Sequence, residues 1–250
     1  DGITISGIEI EELSHLNTTM IVQSCDTNYV IVTGIIDKVT SQTNPITVKR
    51  QMPRMDFIIE SGNRLWGCRY GMSVNKKFVN EIYASKLGDF KNWNCFQGIS
   101  TDSYAVSLGT DGRFTGAITH LGYPLFFKEN CMHKIYGNHP ANYQIQTTAC
   151  RGVQKGSEKS LAIVNEGLYY KSRTGVCYYD GSLPTEISSS LGDVTYHDAV
   201  AGAIGNKYYI SMADDNEVHH MFVYNTQKGM WHREDNTRVA EFCNFHGELY

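Results

Sequence analysis

The densest set of chemically capable side chains is the run Asp214-Asp215-Asn216-Glu217, followed at once by His219-His220. Carboxylates and imidazoles at that density could ligate a metal, or Ca²⁺ through the oxygens alone. The run lies between two strand-like segments, Lys207 to Met212 and Met221 to Tyr224, so it reads as an exposed hairpin tip. Adjacent residues of a strand face opposite ways, so His219 and His220 do not readily share one ion. An acidic turn is the simpler reading, and no metal site is assigned. His133 and His139 flank the turn Gly137-Asn138 and read as surface or satisfied polar groups. His232-Arg233-Glu234-Asp235 reads as a solvated turn with an Arg–carboxylate pair, or as a rim that meets a neighbouring subunit. Lys49, Arg50 and Arg54 form a small basic cluster, either solvated or in contact with a neighbour. No phosphate-binding glycine loop, dinucleotide fingerprint or G-x-S-x-G elbow occurs, and no cofactor is expected.

Seven cysteines, at 25, 68, 95, 131, 150, 177 and 243, include no C-x-x-C pair. Cys177 stands in an apolar run, and the set reads as buried, reduced thiols rather than disulfides or zinc ligands. The formal net charge is -4, which implies no nucleic-acid footprint. No run approaches the roughly 18 apolar residues of a membrane span. Aromatics make up 12% of 250 residues and charged residues 19%, which excludes a disordered chain and a coiled coil.

What positions any of these groups is a β framework. Short runs rich in Ile, Val, Tyr and Phe alternate with Gly, Asn, Asp and Ser. Turn signals fall at Asp111-Gly112, Asn165-Glu166-Gly167, Asp180-Gly181 and Gly205-Asn206. Helical candidates are few, and the best, Glu9 to Leu16, is too short to define a fold.

Three landmarks repeat in order. Bulky doublets at Leu65-Trp66, Phe126-Phe127, Tyr169-Tyr170, Tyr208-Tyr209 and Leu249-Tyr250 come first. Anchored on Trp66, Phe126, Tyr169, Tyr208 and Tyr250, they step by 60, 43, 39 and 42 residues. Strands ending in Tyr83, Tyr136, Tyr179 and Tyr224 follow, and Trp93, Ile145, Ile187 and Trp231 fall a further seven to ten residues on. The longer first step is ascribed to an insertion around Met72 to Val79. A unit of about 40 to 45 residues with several strands suits the four-stranded blade of a β-propeller. Such a sheet cannot bury both faces alone, whereas stacked blades bury them with large aromatics. Trp66, Tyr83, Trp93, Phe126, Tyr136, Tyr169, Tyr179, Tyr208, Tyr224 and Trp231 are therefore expected to be blade-packing residues.

The expected fold class is all-β: a small β module over residues 1–50, then propeller blades over 51–250. Four full units and the start of a fifth are visible. Strands of the first module are expected at Ile3-Ile5, Thr19-Gln23, Tyr29-Ile36 and Ile46-Lys49. The chain opens on Asp rather than Met and stops inside a repeat, so it reads as an excerpt of a larger ring.

Tyr224-Asn-Thr-Gln-Lys-Gly-Met-Trp231 is similar to the strand–turn–strand of kelch-type propellers. Asn63-Arg-Leu-Trp66, then Ile82-Tyr-Ala-Ser-Lys-Leu-Gly-Asp-Phe-Lys-Asn-Trp93, resembles bacteriophage and prophage virion propellers, such as tail-tube or nozzle proteins of short-tailed phages. The resemblance covers roughly residues 51 to 250. It implies a structural virion protein of the tail or head–tail region, assembled in the host bacterial cytoplasm from copies of itself and other virion proteins. It carries over no catalytic residue.

Two rival functions remain open. Propellers also bind glycans or host receptors, and the supply of Tyr and Trp fits that. Propellers host glycosidases as well, which need two carboxylates about 5–10 Å apart. Asp56, Glu60, Asp102 and Asp198 are the candidates, and nothing in their spacing selects among them. Ser85 to Trp93 superficially resembles the structural Asp-box turn of sialidases, but departs from its pattern.

Overall fold

A computed structural model describes residues 2–34, 40–50, 52–72 and 77–250. It is all-β, with 48% strand and 6% helix. The first sheet, in the order β3-β2-β1-β4, joins β1 (Gly2–Ser6), β2 (Thr19–Cys25), β3 (Val30–Val32) and β4 (Thr47–Arg50). Its small core is Ile3, Leu16 and Met20. Glu11–Leu16 forms a 3-10 turn rather than an α-helix. Of the segment expected at Tyr29-Ile36, only Val30–Val32 is strand, and Ile35 and Ile36 lie outside the described residues.

Four further sheets follow, each of four consecutive antiparallel strands in simple chain order. Sheet one is β5 (Phe57–Ser61), β6 (Arg64–Met72), β7 (Phe78–Ala84) and β8 (Tyr104–Ser107). Sheet two is β9 (Phe114–His120), β10 (Tyr123–Lys128), β11 (Cys131–Tyr136) and β12 (Gln144–Ala149). Sheet three is β13 (Ala162–Val164), β14 (Gly167–Lys171), β15 (Val176–Tyr179) and β16 (Thr185–Glu186). Sheet four is β17 (Tyr196–Ile204), β18 (Lys207–Asp214), β19 (His219–Asn225) and β20 (Met230–Arg233). A hairpin of β21 (Asn244–Phe245) and β22 (Glu248–Leu249) begins a fifth unit. First strands of neighbouring units touch in two places, β5 with β9 and β13 with β17, and β17 also meets β22, the second strand of the fifth unit.

The first hairpin of each unit closes through a two-residue turn. The turn pairs are Gly62-Asn63, Leu121-Gly122, Asn165-Glu166, Gly205-Asn206 and His246-Gly247. In all but the fourth pair both residues have positive φ, the twist that matches two antiparallel strands. Leu121 is a poor occupant of that conformation, with φ 50 and 52% exposure. Leu121→Asn is expected to raise the unfolding free energy by about 0.5–1 kcal/mol, because Asn tolerates the left-handed region and little burial is lost. Urea titration checks this; a variant less stable than wild type overturns it.

The doublets explain the cores. Adjacent residues of a strand point to opposite faces, so a bulky pair supplies both faces of a sheet at once. Phe126 enters a core with Trp66, Cys68, Ile82, Ala84, Phe114 and Ile135, between sheets one and two. Its neighbour Phe127 enters a second core with Leu125, Met132, Leu168, Tyr170, Cys177 and Tyr179, between sheets two and three. Tyr170 joins that core while Tyr169 turns to a third, with Tyr208, Ile210, Met212 and Phe222, between sheets three and four.

The anchors need one correction. Counted from the residue closing each first hairpin, the equivalent positions are Trp66, Leu125, Tyr169, Tyr209 and Tyr250. Their spacing is 59, 44, 40 and 41 residues. Phe126 lies one residue late and Tyr208 one early. Because both faces are buried, the doublet marks the strand without marking the face.

Candidate functional site

Seven of the ten expected packing aromatics lie in the clusters between neighbouring sheets: Trp66, Phe126, Tyr169, Tyr179, Tyr208, Tyr224 and Trp231. The indole N–H of Trp231 donates to the Ile187 carbonyl at 2.8 Å, tying β20 to the end of sheet three. The other three sit differently. Tyr83 is half-buried on the far face from Ile82, its hydroxyl donating to Glu81. Tyr136 stacks obliquely on Tyr123, with the Lys134 ammonium over both rings. Trp93 is buried, yet it stands in the loop of residues 85–103 and not on a strand. That loop, between β7 and β8, supplies much of the extra length of the first unit. The insertion expected around Met72 to Val79 falls largely on residues 73–76, which are outside the described residues.

The loop is fixed from beneath. The buried Arg64 guanidinium donates to the carbonyls of Ser85 (2.7 Å), Asp102 (2.5 Å) and Ser100 (2.9 Å). The Asp102 carboxylate accepts the amides of Gln97, Gly98 and Ile99, and these bonds together with the Cys95 thiol hold its pKa below the ordinary value against the cost of burial. With its core side held, the loop turns Phe90 (59% exposed), Phe96 (54%) and Ile99 to solvent.

A second polar assembly joins sheets one and two. Lys128, 1% exposed, donates to Asn80 Oδ1 at 2.9 Å and to the Thr110 carbonyl at 2.7 Å. Its ammonium lies 5.1 Å from the Tyr70 ring centre and 4.8 Å from that of Phe114. Burial lowers its pKa. Beside it a cavity of about 390 Å³ is lined by Asp56, Asp111, Arg113, Glu129, Asn130 and Lys155, among others. The cations and carboxylates there balance, so the cavity has no strong preference of charge.

His133 is part of the same assembly. Its Nε2 meets Thr110 Oγ1 at 3.0 Å and its Nδ1 meets Thr147 Oγ1 at 2.9 Å. It is satisfied, but fully buried rather than at the surface. Burial first, and the Lys128 charge second, push its pKa down from 6.5 to about 4. As pH falls below 6.5 the unfolded chain takes up a proton that the folded chain refuses, so the folded state loses stability through that window. About 2 kcal/mol is expected to vanish between pH 6.5 and pH 5, above most carboxylate titrations. Urea midpoints at those pH values test it; an equal slope in His133→Asn would contradict this origin.

The four proposed carboxylates do not share a site through any partner they hold. Asp56 accepts from Arg69 (2.5 Å) and from the Tyr70 amide (2.9 Å) at the cavity. Glu60 accepts the Asn63 amide at the hairpin end of β5. Asp102 holds the loop just described. Asp198 pairs with His197. The Asp214–Glu217 run is a hairpin tip, as expected, but its members part company. Asp214 accepts from the Val218 and Asn216 amides and pairs with His220 at 2.9 Å, which lowers its pKa. His219 faces Ser211 instead. His139 precedes the short 3-10 turn Pro140–Asn142. Arg233 bonds Asn236 rather than a carboxylate, and the expected Arg–carboxylate pair is replaced by His232–Glu234 at 3.4 Å.

Lys49 and Arg54 are exposed, while the side chain of Arg50 is not described. All seven cysteines are free, but only Cys68 and Cys177 are buried; Cys25 and Cys243 are exposed, which corrects the expectation of uniformly buried thiols. Among the described residues no helix is long and apolar enough to cross a membrane.

No protein-family model matches the chain, and neither does any curated protein.

Proposed function

We propose that the four sheets are consecutive blades of a β-propeller, and that the propeller is a non-enzymatic structural component of a bacteriophage or prophage virion. In this reading it belongs to the tail or head–tail region and acts by assembling with copies of itself and with other virion proteins. The observation that carries the reading is the series of shared cores. Each core takes side chains from two successive sheets, and first strands lie against each other between sheets one and two and between sheets three and four. That is the packing a ring of blades requires. The virion assignment draws on the phrases Asn63 to Trp66 and Ile82 to Trp93 that resemble phage propellers.

The non-enzymatic part rests on the commitments of the charged groups. Lys128, Arg64, Asp56 and Asp102 all bond backbone groups, with Asp56 also paired to Arg69 and Lys128 also bonded to Asn80. Electron microscopy of the purified protein tests the reading. Rings of several copies, each with blade-like density around an axis, are expected; a protein that stays monomeric at micromolar concentration, with its sheets stacked in a row, overturns it.

One observation favours a second reading, recognition of a glycan or receptor. The braced loop of residues 85–103 presents Phe90 and Phe96 to solvent, and exposed rings stack on sugars. Glycan-array binding lost in Phe90→Ala and Phe96→Ala would support it, and an array without signal would remove it.

A further inference from the structure

We infer that the cavity beside Lys128, between the starts of β5 and β9, is a binding site for a neutral saccharide unit. It holds about 390 Å³ and draws on four separate segments. Asp56 and Phe57 come from the start of β5, and Asp111 to Thr115 from the connection into β9. Glu129 and Asn130 come from the β10–β11 turn, and Lys155 from beyond β12. A concave site where several elements meet is where small ligands bind. The inference does not depend on the virion reading, and it concerns a different place from the loop of residues 85–103. That loop is tied to the hairpin end of sheet one, where the Gly88 amide donates to the Asn63 carbonyl at 3.1 Å. The cavity lies at the opposite end of β5.

An orphaned hydroxyl points to a ligand here. Thr115 lines the cavity and is 5% exposed, and its Oγ1 meets no partner. A buried hydroxyl without a hydrogen bond costs free energy that a bound ligand's polar group recovers. The rim adds a second observation. Arg64 and Asp102 are fully engaged elsewhere. At the cavity, by contrast, the side chains of Asp111, Arg113 and Asn130 hold no hydrogen bond or ion pair among the described residues. The ligand class follows from the donor and acceptor set. Asp56, Asp111 and Glu129 accept, whereas Arg113, Lys128 and Lys155 donate. Opposite charges in equal number favour neither an anion nor a cation. A sugar ring matches them, because each hydroxyl on its edge both donates and accepts. Its C–H faces suit the rings of Phe57 and Phe114, which also line the cavity. Asp56 is set in advance: Arg69 holds Oδ1 and the Tyr70 amide holds Oδ2. Each oxygen keeps a further lone pair for a ligand hydroxyl.

The test is saturation-transfer NMR on the full chain with glucose, galactose, mannose and N-acetylglucosamine. At least one is expected to bind, with a dissociation constant of about 0.1–10 mM. Thr115→Val keeps the shape and removes the orphaned hydroxyl. It is expected to weaken binding about fivefold without lowering the melting temperature, since the hydroxyl has no partner in the free protein. Asp111→Asn and Arg113→Ala, both at exposed positions, are each expected to weaken binding about tenfold. Phe90→Ala should leave it unchanged. Absence of binding by all four sugars at about 50 mM overturns the proposal. So does binding that is lost in Phe90→Ala and kept in the three cavity variants, which would assign the sugar to the loop. A preference of more than about tenfold for glucuronate or protonated glucosamine over glucose would overturn the neutral class.

Discussion

Tyr208→Ala is expected to lower the unfolding free energy by about 4–5 kcal/mol. The ring is wholly buried between sheets three and four, stacked on Tyr169 with centroids 5.3 Å apart. Its hydroxyl donates to the Ser160 carbonyl at 2.8 Å. Truncation opens a cavity in a core that draws on both sheets, and it leaves a buried carbonyl without its donor. The two losses separate experimentally. Tyr208→Phe keeps the ring and removes the hydroxyl, and is expected to cost about 1–2 kcal/mol. Tyr209→Ala, on the opposite and less buried face, should cost clearly less than Tyr208→Ala. Urea unfolding of the three variants decides the matter. Equal costs at 208 and 209 would show that the shared core is not what holds these sheets together.

That contrast between neighbours marks where sequence reasoning stops. The strands, their count per unit and the doublets are written in the chain, because β-branched and aromatic runs bounded by Asn and Gly have few alternatives. The face of each residue is not. A sheet covered on one side alternates apolar and polar residues, but a sheet covered on both loses that alternation. Hence Phe126 and Tyr208 stand in as anchors for Leu125 and Tyr209. Turn signals divide in the same way. Asn165-Glu166 and Gly205-Asn206 do close hairpins, whereas Asp111-Gly112 lies in the connection from β8 to β9. Leu121 at φ 50 carries no turn signal at all.

The chemistry was less legible than the framework. The rule that adjacent strand residues diverge separates His219 from His220 correctly, yet it hides His197 beside Asp198, because a bulge suspends it. Glu217 was visible within an acidic run, but its partner lies 20 residues back in the chain. A register break cannot be read from residue types alone. The buried Lys128 and His133 were hidden for a related reason: their partners Asn80, Thr110 and Thr147 come from three separate segments.

Arg64→Ala is the second large effect, expected to cost about 3–5 kcal/mol. Trp93 follows the expected repeat in sequence, yet it is held in a loop, and Arg64 is why that loop has one shape. A single buried guanidinium serves three carbonyls, of Ser85, Ser100 and Asp102, spread over the whole of residues 85–103. Removing it strands all three and frees the segment that carries the Asp102 turn. Lysine cannot replace it. A compact ammonium on a single stem does not reach three acceptors that a planar fork spans, so Arg64→Lys should recover less than half of the loss. Proteolysis supplies the local readout. The variant is expected to be cut within residues 85–103 under conditions where wild type is intact, while the cores of sheets three and four stay protected from hydrogen exchange. If Arg64→Ala unfolds globally with no earlier cleavage in the loop, the guanidinium braces the sheet pair itself. The exposed Phe90 and Phe96 would then owe their placement to the Asp102 turn alone.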